Sequence, residues 1–204
     1  MTHIICIFED EHFTRLHPLT LTRPVYDLRC GISLLREKID RRFAGSRLHL
    51  FCREYLADVV REALPSVPVN AIPAENCLFI NGRFILGEKF PTFNSREVVW
   101  KKDSEIAAAW ISGNRLASLA EIKDGVIPTS WFDGLPVEEI DGTFIHYPWD
   151  LVHHNPDQIR RDFADFNRSG QILGKIYSNV TLLEEKNIYI GAGAKIKPGV
   201  VVDA

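Results

Sequence analysis

The chain has 204 residues, 46% hydrophobic and 25% charged, enough for one α/β domain with an ordinary core and a small appendage. Its net charge of −3, from 24 basic and 27 acidic residues, argues against a general nucleic-acid or membrane-surface binder. No stretch reaches the length of a transmembrane helix, so a cytoplasmic protein is expected.

The N-terminal string MTHIICIFEDEH carries an apolar run of five residues, Ile4 to Phe8, without a basic leader or a small-residue cleavage site. It reads as a strand buried on both faces of a parallel sheet, not as a signal peptide. A polar loop and the Pro-containing stretch LHPLTLTRP follow. Gly31 is then expected to open a helix over ISLLREKIDRRF, with Ile32, Leu35, Ile39 and Phe43 on its apolar face and Gly45 as its stop.

The next stretch repeats that order. Leu48 to Cys52 predicts a strand, and Glu54 to Leu64 an amphipathic helix with Leu56, Val59, Val60 and Ala63 inward. Cys77 to Ile80 predicts a third strand, ending at Asn81-Gly82. Strand, helix, strand, helix, strand at this spacing implies βαβ crossovers and a mainly parallel sheet. Beyond it, EVVWKKDSEIAAAWIS predicts a β-hairpin turning at Lys102-Asp103-Ser104. Short helices are expected at Leu116 to Ile122 and at Asp157 to Phe166, the latter after Asn155-Pro156. The four cysteines, Cys6, Cys30, Cys52 and Cys77, are widely spread without a C-x-x-C pair, and are expected as buried thiols rather than metal ligands.

The last segment, NIYIGAGAKIKPGVVVDA, has a different rhythm. Ile190, Ile196 and Val202 recur every six residues, with Gly191, Gly193 and Gly199 between them. That period fits a parallel β-helix with one aliphatic residue pointing inward at each face; a hairpin with glycine turns is the plainer alternative. A solenoid needs several stacked coils, so this chain is expected to be a piece of a longer protein.

The stretch between the first strand and the first helix carries the chemistry. Arg15, Arg23 and Arg29, with Arg36 and Lys38 beyond, gather where α/β folds bind ligands, at a strand's carboxyl end. Arginine forks suit phosphate, and a helix start near Gly31 would add N–H donors. A polyanionic small ligand would fit; so would a solvated basic loop paired with Glu9, Asp10, Glu11 and Asp27. The conspicuous loop HYPWDLVHHN holds Asp150, read either as a metal-binding carboxylate or as the cap of the nearby helix.

T-R-L-x-P-L-T-x-x-x-P, from Thr14 to Pro24, resembles the signature loop of sugar-1-phosphate nucleotidyltransferases. With TRPVYDLRCGI, REK and the C-terminal six-residue period, the chain is similar to a divergent branch of that family, with an N-acetylglucosamine-1-phosphate uridyltransferase-like domain followed by a hexapeptide left-handed β-helix. The resemblance implies an α/β, Rossmann-like nucleotidyltransferase domain with a mainly parallel sheet over residues 1–172, and the start of the left-handed parallel β-helix over 173–204. It implies a sugar-1-phosphate attacking a nucleoside triphosphate to give an NDP-sugar and pyrophosphate. Arg15 matches the triphosphate-binding arginine and Thr14 the threonine before it. Pro18, Leu19 and Thr20 shape the loop, and Asn81-Gly82 matches the start of the N-G-D motif. Arg23, Arg29 or Lys38 would neutralise the remaining phosphate.

Three departures bear on activity. Glu11, His12 and Phe13 stand where the family has G-x-G, Val25 stands for its lysine, and Arg83 for the aspartate that holds Mg²⁺. Arg83 is therefore expected to pair directly with phosphate, so that nucleotide binding depends little on Mg²⁺, with weak turnover or none; the alternative is that Arg83 points away and Asp10 or Asp150 holds Mg²⁺. Nucleotide and sugar phosphate are the expected partners, with no nucleic acid or membrane, and a longer chain would trimerise through its β-helix. Two rival readings stand beside this one: a hexapeptide acyltransferase whose N-terminal domain only binds a nucleotide-sugar, and a catalytically silent regulatory or assembly domain.

Overall fold

The computed structural model describes residues 3–93, 96–119, 122 and 124–204. Packing divides it into two compact units, the first ending at Asn155 and the second covering Pro156–Ala204. In the first unit, β1 (Ile4–Phe8), α1 (Leu35–Arg42), β2 (Arg47–Phe51), α2 (Glu54–Ala63) and β3 (Cys77–Asn81) follow one another as the apolar pattern predicts. β1 lies between β2 and β3 and pairs in parallel with both. All five of its residues are buried. Ile5 and Ile7 pack toward Leu56, Ala57 and Val60 of α2, while Ile4, Cys6 and Phe8 face the opposite cluster around Phe51, Phe79, Trp131 and Phe132. A continuous apolar run is the signature of a strand covered on both faces.

The sheet then changes direction. β4 (Phe84–Leu86) leaves it, and the hairpin of β5 (Val98–Lys102) and β6 (Glu105–Ile111) joins it, with β6 antiparallel to β3. Asp103 and Ser104 turn the hairpin at φ 49° and 71°, the left-handed conformation that a tight turn matched to strand twist requires. The single-turn α3 (Gly113–Leu116) follows, with the Arg115 N–H donating to Ser112 Oγ. The strand β7 (Val137–Glu139) completes a six-stranded sheet of order β2-β1-β3-β6-β5-β7, and β8 (Gly142–Phe144) pairs with β4 outside it. Three of the five pairings in the sheet are parallel.

Several sequence expectations shift. The helix expected from Gly31 begins at Leu35. Gly31 is left-handed at φ 82°, and Arg29 and Leu34 bridge across it to close a turn instead. Ile32, placed on the apolar face, is exposed, as are Val59 and Ala63 of α2; Ala57 and Leu64 take their places. The helix expected over 116–122 is the earlier α3, and Ala120 and Glu121 lie outside the described residues. α4 (Pro148–Phe166) starts nine residues before the expected Asp157 and runs through Pro156. Proline is pre-organised at a first helical position, so Pro148 starts the helix well. Asp150 Oδ2 completes that start by accepting the His146 and Tyr147 N–H groups at 2.8 and 2.9 Å. All four cysteines are buried, and none is in a disulfide.

In the second unit β9 (Lys175–Ile176) pairs in parallel with β11 (Lys195–Ile196), and β10 (Thr181–Leu183) with β12 (Val201–Asp203). Ile190, Ile196 and Val202 each lie opposite an aliphatic residue of the preceding turn of chain, respectively Ile172, Ile176 and Leu182. Ile190 is buried, and Ile196 and Val202 are half-buried between exposed neighbours. The pairings are parallel, which an antiparallel hairpin cannot give. Among the described residues no helix is long and apolar enough to cross a membrane.

Candidate functional site

The chain leaves β1 through two carboxylates of opposite destiny. Glu9 is fully buried. Its Oε1 accepts the Val25 N–H at 2.8 Å and Arg53 Nη2 at 3.1 Å, and its Oε2 accepts the Arg53 N–H and Nε, both at 3.0 Å. Arg53 also donates to the Arg23 carbonyl at 3.1 Å and to the Tyr55 hydroxyl at 2.5 Å, and lies 4.3 Å from the Phe13 ring centroid. The Glu9–Arg53 pair thus fastens the loop that carries Thr14 to Pro24 against the ends of β1 and β2. Within the loop the Thr20 hydroxyl donates to the Phe13 carbonyl at 3.0 Å.

Asp10 begins the short turn Glu11–Leu16 by accepting the His12 N–H at 3.2 Å. It also receives Arg83 through Nε at 2.9 Å and Nη2 at 2.5 Å, and Asn81 Nδ2 at 2.8 Å. Arg83 reaches Glu105 Oε2 at 2.7 Å and the Ile145 carbonyl at 3.2 Å, and its side chain is wholly buried over the Phe144 ring. Burial pushes the Asp10 carboxyl up, but the hydrogen bonds and charge of Arg83, with help from Asn81 and His12, hold it below its ordinary value of 3.8. His146 Nδ1 lies 3.3 Å from Glu105 Oε1 on the far side.

These groups border a cavity of about 290 Å³ at the carboxyl ends of β1 and β3, lined by Asp10, His12, Asn81, Lys101 and Glu105 among others. Ligand atoms of Asp10, His12 and Glu105 lie within 4.8 Å of one another, the spacing of a possible metal group. The donor set does not fit a divalent cation, because the guanidinium of Arg83 lies on both carboxylates.

The sequence-derived candidates separate. Asp10 and Asn81 line the cavity; Thr14, Arg15, Arg23, Arg29, Lys38, Gly82 and Arg83 do not. Thr14, Arg15, Arg23 and Arg29 are exposed on the loop and Lys38 is half-buried on α1. Arg29 donates to the Ile32 carbonyl. The helix N-terminus expected to offer N–H donors at Gly31 is not there: the Gly31 N–H donates to Asn155 Oδ1 at 2.7 Å, and the Leu34 N–H at the true start of α1 donates to Glu37 at 2.7 Å. Arg83, expected to meet phosphate, is buried in the cluster instead, with Nε, one Nη1 and both Nη2 hydrogens engaged by protein oxygens. Asp150, expected as a metal carboxylate, caps α4. Glu9, Arg53, His12 and Glu105 join the site without a sequence signal for that role, save that Glu9 adjoins the end of a buried strand.

Gly82 lies against the Val25–Tyr26 segment that Glu9 fastens. A Cβ there would lie 3.0 Å from Tyr26 Cβ, 3.1 Å from Val25 Cγ2 and 3.2 Å from the Phe8 carbonyl oxygen. Gly82→Ala is therefore expected to destabilise the protein by about 1–3 kcal/mol through overpacking, read by denaturant unfolding.

A family model described as sugar nucleotidyl transferase matches residues 5–170. A search of curated protein sequences finds none that matches. Among solved structures, one from Bacillus anthracis, assigned as a glucose-1-phosphate thymidylyltransferase and solved with sucrose, aligns at TM-score 0.52 and 10% identity, covering 78% of this chain and 96% of that one. The inositol-1-phosphate CTP transferase of T. maritima aligns at TM-score 0.48 and 13% identity, covering 78% and 96%. At such identity the first likeness is one of fold.

Proposed function

The chain belongs to the sugar nucleotidyl transferase family, and from that premise we propose that it binds a nucleoside triphosphate and a sugar 1-phosphate and joins them. An oxygen of the sugar phosphate attacks the α-phosphorus, the bond from that phosphorus to the bridging oxygen breaks, and pyrophosphate leaves with the electron pair. No protein nucleophile is needed, since the sugar phosphate is itself the nucleophile; the chain's part is alignment and charge stabilisation. The observation that carries this reading is that the T-R-L-x-P-L-T-x-x-x-P loop is held at the ends of β1 and β2 by the Glu9–Arg53 pair, through the Arg23 carbonyl and, just beyond the loop, the Val25 N–H. Arg15 and Arg23, exposed on that loop, are the phosphate-binding side chains. Glu11 and Glu105, which border the cavity, are hydrogen-bond acceptors for sugar hydroxyls. Residues 173–204 form a stretch of left-handed hexapeptide β-helix, a reading supported by the parallel pairing of 175 with 195 and of 181 with 201, and copies of the protein trimerise through it.

A second reading, ligand binding with weak turnover or none, is favoured by the buried Arg83 and by the bulky Glu11, His12 and Phe13. A panel of nucleotides and sugar phosphates assayed for pyrophosphate separates the two: release establishes transfer, and calorimetric binding without release establishes the silent domain. Arg15→Ala is expected to weaken nucleotide binding by roughly 1.5–3 kcal/mol, the size of a charge-assisted hydrogen bond. Unchanged affinity in calorimetry would remove Arg15 from the site.

A further inference from the structure

We propose that Arg83 is a built-in cation at the ends of β1 and β3, holding Asp10 and Glu105 together in the way a divalent metal would, so that this cavity takes no divalent cation. The inference does not depend on which reaction the site performs. Asp10 is fully subscribed. Its Oδ1 accepts from Arg83 Nε and the His12 N–H, and its Oδ2 from Arg83 Nη2 and Asn81 Nδ2. A carboxylate offers about four lone-pair sites, and all are taken here. Glu105 Oε2 faces the same guanidinium.

A magnesium ion needs oxygen ligands at about 2.0–2.1 Å in near-octahedral array. Ligation by Asp10 and Glu105 would set it beside a fixed positive charge and would require Arg83 to withdraw. Arg83 has nowhere to go. Its side chain has no exposed surface, it lies 5.0 Å from the Phe144 ring centroid, and it donates to the Ile145 carbonyl. Nor can it give up its proton in a protein. The two carboxylates and the guanidinium come from three segments: the end of β1, the turn after β3 and the start of β6. Arg83 therefore performs the bridging that an ion would otherwise supply, and its charge never reaches a ligand in the cavity directly.

Two measurements test this on the intact chain. Mn²⁺ is titrated while water-proton relaxation is followed, and thermal melts are compared with Mg²⁺, with Mn²⁺ and with a chelator. The wild-type protein is expected to show no saturable binding and no shift in Tm. Arg83→Ala frees both carboxylates, and its Tm is expected to rise with metal concentration as binding to the folded state requires. That rise should vanish in the Arg83→Ala/Asp10→Asn double variant. Saturable wild-type binding that Glu105→Gln weakens tenfold or more would overturn the proposal, as would a folded Arg83→Ala that ignores metal. Arg83→Lys, which keeps one positive charge, should remain metal-insensitive. Should Arg83→Ala fail to fold, the wild-type titration decides alone.

Discussion

Glu9→Ala is expected to cost about 3–5 kcal/mol of folding stability, the range for removing one partner of a buried ion pair. The loss comes less from the missing attraction than from what is left behind. Arg53 would retain its charge at 4% exposure with its bidentate acceptor gone, and the Val25 and Arg53 backbone N–H groups would lose theirs. Arg53→Met should cost less than Glu9→Ala, since the backbone N–H groups of residues 25 and 53 keep Glu9 as their acceptor. The double variant should recover part of the sum, and a double-mutant cycle by denaturant unfolding measures how much. Additive losses would show that the pair is not coupled. Because Glu9 ties Val25 to β1, nucleotide affinity should fall in Glu9→Ala even under conditions where the chain is fully folded.

Asp10→Ala is expected to cost about 3 kcal/mol near neutral pH, at the lower end of the same range because Glu105 still faces Arg83. Its pH dependence distinguishes charge from packing. The folded Asp10 carboxyl lies below its ordinary 3.8, so the unfolded chain binds the proton more readily. The contribution is then complete above the unfolded value and is lost as the pH falls through the depressed folded one. Wild type and variant should differ by a constant amount from about pH 5 to 8 and converge below about pH 4. Asp27 runs the other way: burial outweighs Arg36 and raises its carboxyl, so its share of stability grows as the pH falls through that raised value. A difference between Asp10→Ala and wild type that stays constant through the acid range would mean that the loss is one of packing alone.

Much of the framework follows from the amino-acid order. The run Ile4 to Phe8 reads as a strand covered on both sides, and the hairpin turn at Asp103 and Ser104 lies where the five polar residues Lys101 to Glu105 separate two apolar runs. The six-residue recurrence of Ile190, Ile196 and Val202 places them opposite aliphatic partners one turn of chain away. The Thr14–Pro24 string marks the family, and the family model matches that region. These are local signals, and each depends on side-chain periodicity or backbone preference over a few residues.

Where the charges go was decided only by the tertiary structure. Arginines crowd residues 15–42, and nothing in their spacing tells which face a ligand and which face a carboxylate. Arg53 belongs to a helix start 44 positions from Glu9, and Arg83 meets Asp10 from 73 positions away. Gly31 looked like a helix opening because glycine before an amphipathic stretch often is one; Asn155, 124 positions on, takes its N–H instead. Coulomb attraction and lone-pair satisfaction act through space. The partner of a buried charge is therefore set by which strand ends the sheet order brings together, and β1, β3 and β6 meet at the one place where Asp10, Arg83 and Glu105 can close on each other.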